Sequence, residues 1–388
     1  MTSLKPLQSS PPLRSTVADP AAVPQDQGQT VMRGQDTFGP VAERVTVPGF
    51  GHPVDARELP DPGAGTAVMT LNLANGAGEG YRTPENRAKQ AALIADARAS
   101  VVGFQEVDAG VDRTRNVNTA LDVVRRLNPA FDPFFSGPQL PVLDLHAPVV
   151  GTALRQGADG TRLYQTPNAT LILGESFSGD DRPVAGDRGA DATYGNALYV
   201  ARPNRVAEAY TVVLPHSVST DSPPSADSQQ LSALANGEVT AEERAALGAR
   251  NEGIRDAAAS EPRTALVARL VGPDGKERTI INVHLAAGKE NEALRQKQLA
   301  YLADLVRAEG SGPPAREVLV MGDFNDSTTD VGRGLEPAGL RRVVGGKKDS
   351  FGNIDQVWVT GGMTTDTSAQ VKTRGVTDHP HAGYTVLR

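Results

Sequence analysis

The sequence predicts an α+β fold in which mixed β-sheets are flanked by helices, and three observations carry the prediction. Short apolar segments of strand character outnumber the amphipathic helical ones. The turn Gly272-Pro273-Asp274-Gly275 joins two of those segments as a hairpin. Elsewhere a strand leads into a helix and then into another strand, so hairpins and strand-helix units alternate along one chain.

The elements follow in order. Residues 1–65 are rich in Pro, Gly, Gln and Ser without clear periodicity, and read as a largely disordered N-terminal lead with one docked piece around Phe38–Phe50. Ala67–Leu71 is the first strand. Thr83-Pro84 then starts a helix: Thr83 can cap it, Pro84 suits its first position, and Ala88, Ala91, Ala92, Ile94 and Ala95 share a face. Val101–Phe104 is a strand ending at Gln105-Glu106, and a helix follows near Val117–Leu127. Further strands are expected at Ala169–Leu173, Ala197–Ala201, Tyr210–Leu214, Thr264–Val271 and Thr279–Val283. Glu290–Ala308 is a long amphipathic helix. It leads into Val318-Leu319-Val320-Met321, a buried strand broken by Gly322. Ile354–Val359, Ala369–Lys372 and Gly383–Leu387 complete the set.

Composition narrows the class. Of 388 residues, 39% are hydrophobic but only 4% aromatic, which suits an aliphatic core. No run of about 18 apolar residues exists, so no transmembrane segment is expected. Zero cysteines exclude disulfides and thiolate metal sites. The N-terminus has no Sec-type signal pattern, which fits a cytoplasmic protein or one exported without such a peptide. The net charge of −7 is concentrated in residues 216–262, which hold three basic and eight acidic residues. That segment and residues 143–188 read as insertions within a domain spanning 66–388. The first is expected to be a solvated acidic helix from about Ala241 to Ala259, and the second to carry a hairpin across Gly157–Gly160.

The chemistry gathers after the strands. Asn72, Glu106, Asn196, His284, Asp323 with Asn325, Asp355, and Asp378-His379 each follow or close an apolar segment. This inventory holds hard oxygen ligands, two imidazoles and several amides. It contains no Cys nucleophile, Gly-x-Ser-x-Gly elbow or phosphate-cradling glycine loop. Carboxylates with water are what Mg2+ or Mn2+ prefers. Histidines beside carboxylates run acid–base chemistry and bind anionic phosphoryl groups. Hydrolysis of a phosphate ester by an activated water fits that set. Singly, each residue has an ordinary reading: Glu106 as a helix cap, His284 as a core histidine, the asparagines as turn formers.

Together the segments resemble the endonuclease/exonuclease/phosphatase superfamily, in DNase I-like form. They are Asn72, Gln105-Glu106, Tyr194-Gly195-Asn196-Ala197, Val283-His284-Leu285, Gly322-Asp323-Phe324-Asn325, Ile354-Asp355 and Thr377-Asp378-His379. The resemblance implies a four-layer α/β/β/α sandwich. It makes Glu106 the main metal ligand, with Asn72 and Asp378, for Mg2+ or Mn2+. Asp323 would position or deprotonate the attacking water, Asn325 would hold a phosphoryl oxygen, and His379 would contact phosphate with Asp355 on its far ring nitrogen. His284 would be the second imidazole. Asn196 stands where a DNase I-type glutamate would orient that ring. Arg263, in a Pro-Arg-Thr-Ala-Leu run, and Tyr194 would complete the phosphate and substrate contacts. Arg113, Arg115 and Asn118 lie close enough in sequence to Glu106 to touch substrate, though a solvated helix start explains them equally well. Arg341-Arg342 and Lys347-Lys348 read as a solvated loop.

The expected function is therefore a phosphodiesterase, with a nuclease as one form. The alternatives are a phosphomonoesterase, a sphingomyelinase-like phospholipase, or a non-catalytic binding scaffold. Nucleic acid, a small phosphodiester or a lipid head group would each serve as substrate, and a monomer is expected. The chain lacks the Pro-x-Trp-x-Asp-Arg element of inositol phosphatases and an aromatic membrane hairpin.

Overall fold

The computed structural model describes residues 53–388 apart from 116, 129–152, 157–158, 160, 166–167, 179–192, 220–222, 258–260, 312–314 and 346–353. Most of the expected lead, including Phe38–Phe50, lies outside the described residues, as do Lys347 and Lys348. From Pro53 onward the chain is engaged. Val54 bridges Val371, and Asp55 caps a single helical turn at Ala56–Glu58.

In chain order come β1 (Thr66–Asn72), α1 (Pro84–Asp96), β2 (Val101–Ala109), α2 (Thr119–Leu127), β3 (Ala153–Gln156), β4 (Arg162–Gln165) and β5 (Ala169–Ser178). There follow β6 (Thr193–Ala201), β7 (Arg205–Val213), α3 (Ser228–Asn236), α4 (Ala241–Ala257), β8 (Thr264–Val271) and β9 (Glu277–His284). The rest are α5 (Glu292–Ser311), β10 (Glu317–Asp323), α6 (Thr328–Leu335), β11 (Leu340–Val344), β12 (Asp355–Thr360), β13 (Thr365–Lys372) and β14 (His381–Leu387). One sheet has the order β13-β14-β1-β2-β6-β5-β4-β3, and the other β11-β12-β10-β9-β8-β7. The parallel pairs β1–β2 and β9–β10 are each joined through a helix, α1 and α5.

The layers follow from which side chains each strand sends to each face. Val68, Val101, Leu198 and Ile172 of the first sheet meet Leu266, Ile280, Leu319 and Val357 of the second. Met69, Leu71, Val102 and Phe104 turn the other way, onto Ile94 of α1 and Val123 and Val124 of α2. Val318 and Val320 likewise turn outward onto Leu299, Leu302 and Leu305 of α5, with Leu335 of α6 and Trp358. Both faces of β10 are thus buried, so its sequence is continuously apolar instead of alternating. Each of these side chains contributes about 1.5–3 kcal/mol on burial. The architecture is helix, sheet, sheet, helix.

Within 143–188 the expected hairpin is β3–β4, pairing Gln156 to Arg162, and the expected strand at Ala169–Leu173 is part of β5; together they extend the first sheet by three strands. Other elements depart from the expectation. The acidic 216–262 segment is not simply solvated. It contains α3, held by a capping box between Asp227 and Gln230, and buries Leu231, Leu234 and Leu247 over the second sheet. Arg341 and Arg342 belong to edge strand β11 rather than a loop, as adjacent exposed positions between buried Leu340 and Val343. Helix α6 was not foreseen; Ser327 caps it.

Candidate active site

Strand register assembles half of the site. β10 pairs with β9 so that Asp323 faces His284, and with β12 so that Asp323 faces Asp355. Three residues far apart in sequence therefore stand abreast on neighbouring strands. Gly322 allows this. Its φ is 141°, and a Cβ there would sit 1.9 Å from Val283 O, closer than any side chain permits. Asp323 Oδ2 lies 3.3 Å from His284 Nε2 and 3.6 Å from His379 Nε2. His379, on the turn before β14, places its other ring nitrogen 2.6 Å from Asp355 Oδ2.

The first sheet supplies the other half. Asn72 at the end of β1 pairs with Gln105 of β2. The β2–β6 ladder then slips: Phe104 pairs with Ala197 and Val107 with Gly195, leaving Gln105 and Glu106 opposite Asn196 alone. Glu106 sits in this bulge at φ 54°. A left-handed non-glycine residue costs about 1–3 kcal/mol, and such strain concentrates at functional sites. The bulge aims the carboxylate into the cavity. Gly76 N–H donates to Glu106 Oε2 at 2.6 Å. Asn325 is also left-handed (φ 49°), which asparagine tolerates. Its N–H donates to Asp323 Oδ1 at 2.9 Å and its amide to Leu285 O at 3.0 Å.

Asn72 is fixed at both ends of its amide. Its Oδ1 accepts from the N–H of Ala74 at 2.8 Å. The Nδ2 instead donates to Glu106 Oε1 and Asp323 Oδ2, each at 3.1 Å, and stands 3.5 Å from His379 Nε2. Asn72 is a neutral donor between two carboxylates that would otherwise repel. Because one nitrogen reaches Glu106 of the first sheet and Asp323 of the second, and stands beside His379, these three residues share one small volume. Asn196 requires a correction. Its amide donates to Thr264 O at 3.0 Å while its Oδ1 is buried without a hydrogen-bond partner, so it neither orients His284 nor lines the cavity.

The remaining expected residues converge. A cavity of about 460 Å³ is lined by Glu106, Tyr194, Arg263, His284, Asp323, Asn325, Asp378 and His379. Asp355 lies behind His379. Gly76, Ala77, Glu261, Ala287, Ile354 and Pro380 complete the wall. Arg263 is 6% exposed, and its Nε and Nη1 have no hydrogen-bond partner. Glu261 approaches Nη1 to 3.1 Å as an ion pair without hydrogen-bond geometry. This guanidinium is desolvated and under-used, which suits it to an incoming anion. Arg113 pairs with Asp108 through two contacts, at 2.8 and 2.7 Å, and covers the Tyr194 ring at 5.5 Å. Asn118 caps α2 through Leu121 N–H. Gly76 and Glu261 are not among the residues the sequence singles out; an acid two positions from an arginine looks like a surface pair.

Burial dominates the electrostatics. It works against charge on His379, but Asp355, then Asp323 and Asp378, outweigh it and lift the imidazole to about 10. Burial also raises Asp355, against the pull of His379. Both partners of this pair therefore shift upward. The 2.6 Å contact and the surrounding carboxylates favour an imidazolium facing an ionised Asp355. Asp323 is pushed up to about 6, first by burial and then by Asp355, with His379 opposing. Burial, followed by Arg263 and His379, drives His284 well below the usual imidazole range, so its ring is neutral. Burial raises Glu106 against its hydrogen bonds from Gly76 and Asn72, while Asp323 and Asp378 push it further up. Negative charge thus crowds one wall. Among the described residues no three His, Asp or Glu side chains are arranged to hold an ion unaided. The donor set of Glu106 and the half-exposed Asp378 fits a cation that keeps several waters.

Comparison with known proteins shows the family and the fold. The model of the endonuclease/exonuclease/phosphatase family matches residues 69–379. No curated protein matches by sequence. Among solved structures, the human nocturnin catalytic domain with bound sulfate is similar at TM-score 0.50 and 14% identity, covering 84% of this chain and 94% of that one. TDP2 of D. rerio, humanized by 14 mutations, has TM-score 0.46 and 13% identity, over 84% of this chain and 99% of that one. The mannosyl-6-phosphatase of Bacteroides thetaiotaomicron has TM-score 0.46 and 14% identity, over 83% and 99%. The chain belongs to the endonuclease/exonuclease/phosphatase family: it is a phosphoric ester hydrolase with a DNase I-like fold.

Proposed function

We propose that the chain is a divalent-metal-dependent phosphodiesterase in which water attacks phosphorus at the cavity between the two sheets. The observation that carries this reading is the placement of Asp323 Oδ2, within 3.6 Å of both His284 Nε2 and His379 Nε2. Asp323 takes the proton of the attacking water, and a value near 6 suits a base working at neutral pH. The His379 imidazolium and the Arg263 guanidinium hold phosphoryl oxygens, with Asn325 as a neutral donor beside them. The neutral His284 ring donates a hydrogen bond to the phosphoryl or leaving oxygen. Its depressed basicity argues against a cationic proton donor. Glu106 and Asp378, with water, would hold a Mg2+ or Mn2+ ion, which supplies neutralisation of charge building on the phosphoryl group.

Charge balance favours a diester. Two cationic groups, Arg263 and His379, share the cavity with the carboxyl groups of Glu106, Glu261, Asp323 and Asp378. With a divalent cation offsetting Glu106 and Asp378, Glu261 and Asp323 still face the substrate, and they repel a singly charged diester less than a dianionic monoester. The test is hydrolysis of bis-p-nitrophenyl phosphate against p-nitrophenyl phosphate, with Mg2+, Mn2+ or EDTA, by the wild type and Asp323→Asn. The expected result is metal-dependent diester cleavage lost in the variant. Faster monoester cleavage, full activity in EDTA, or an active Asp323→Asn would refute the proposal.

A further inference from the structure

Glu106 owes its aim to a bulge, and regular strand pairing does not hold a bulge in place. Two buried amides grip this one. Asn282, fully buried, crosses from β9 of the opposite sheet. Its Nδ2 donates to Phe104 O and Ala197 O, at 2.9 Å each, the carbonyls of the last ladder pair before the slip. Its Oδ1 accepts from Gln105 Nε2 at 2.6 Å. From the other side, Asn75 Nδ2 donates to Glu106 O at 2.5 Å and to Thr119 Oγ1 at 2.9 Å. Residues 104, 105 and 106 are thus each bound by an asparagine side chain. Room for the crossing comes from Gly103, where a Cβ would stand 2.9 Å from Asn282 Oδ1 and 2.6 Å from Met321 Cε.

We infer that Asn282, with Asn75 opposite it, is a positioning residue that fixes Glu106 relative to His284. Asn282 precedes His284 by two residues, so both leave β9 on the same face. The pin that holds the bulge is therefore built into the strand that carries the imidazole. Without its donors, β2 can slip toward regular pairing, and a one-residue slip turns a strand side chain to the opposite face. The inference rests on the proposed role of Glu106 as ligand of a divalent cation.

The test is a titration of metal-free protein with Mn2+ alone, following free Mn2+ by electron paramagnetic resonance. Asn282→Leu is compared with Asn251→Leu. Asn251 is equally buried, and its Nδ2 also donates to two carbonyls, Asp159 O and Thr211 O, at 3.0 Å each, away from the cavity lining. Both variants are expected to melt at lower temperature. Asn251→Leu should bind Mn2+ as the wild type does, and Asn282→Leu at least about tenfold more weakly. Equal affinities of the two variants overturn the inference while leaving the role of Glu106 intact. A wild type that binds no Mn2+ overturns both. Should Asn282→Leu fail to fold, Asn75→Ala carries the same expectation, and wild-type affinity in that variant overturns it.

Discussion

Replacing Asp355 by asparagine perturbs the charge state of the site most directly. In the wild type, the carboxylates around His379 overcome the penalty of burial and lift its imidazole from 6.5 to about 10. That lift corresponds to about 5 kcal/mol in favour of the charged ring. Asp355 leads the upward causes, through charge and through the 2.6 Å contact at Nδ1. Asp323 and Asp378 remain in the variant, 3.6 and 3.9 Å from Nε2. The His379 midpoint should therefore fall by at least about two pH units, about 2.7 kcal/mol, without dropping to that of an isolated buried ring. A raised folded-state value makes the stability due to this histidine complete below about pH 6.5. It is then lost as pH rises through about 10. In Asp355→Asn the loss should come at lower pH. The assay is an NMR titration of the imidazole Cε1–H in metal-free protein, with His379 assigned by its absence in His379→Asn. A midpoint within half a unit of wild type would show that Asp323 and Asp378, not Asp355, hold the charge, and the reasoning would fail.

Three further predictions concern separate parts of the account. Asp323 is raised from 3.8 to about 6, so ionising it opposes folding: stability is complete below about pH 4 and lost as pH rises through 6. Asp323→Asn should accordingly gain roughly 1–3 kcal/mol at pH 8 and nothing at pH 4 by urea denaturation, while kcat falls at least about 100-fold. Arg263→Ala removes an under-used buried guanidinium, so inhibition by inorganic phosphate should weaken at least about tenfold, or 1.4 kcal/mol, with little change in melting temperature. Glu309 on α5 is fully buried and binds Arg269, Tyr210 and Thr279 at 3.1 Å or less. Glu309→Gln should cost about 3–5 kcal/mol in urea denaturation and leave kcat/KM of the folded enzyme unchanged.

The strand ending in Gly322-Asp323-Phe324-Asn325 was legible because a strand buried on both faces is apolar throughout, and glycine then polar residues mark where it reaches solvent. The same logic found β1 with Asn72, β2 with Glu106, and β9 with His284. Pairing could not be read that way. That Asp323 stands between His284 and Asp355 depends on the register of three separate segments. The sequence placed Asn72 at the end of β1 but not the orientation of its amide, which the Ala74 N–H helps to fix. Asn196 failed for a related reason. It lies opposite a bulge, and its side chain turns to Thr264 of β8. Asn282 lies inside the expected strand Thr279–Val283, next to the Val283-His284-Leu285 motif, and was not singled out. A lone amide in an apolar strand, two residues from a histidine, was the available signal. β11 was hidden by adjacent exposed arginines, and α3 by its Ser/Asp/Pro-rich approach.

The central claim is that side chains from both sheets act on one phosphoryl group beside one cation. A crystal structure with Mn2+ and phosphate tests it directly. The account predicts Mn2+ on Glu106, identified by anomalous scattering, and one phosphate within hydrogen-bond distance of Arg263, His284 and His379, with Asp323 beside it. Phosphate bound elsewhere, or Mn2+ held away from Glu106, would contradict it.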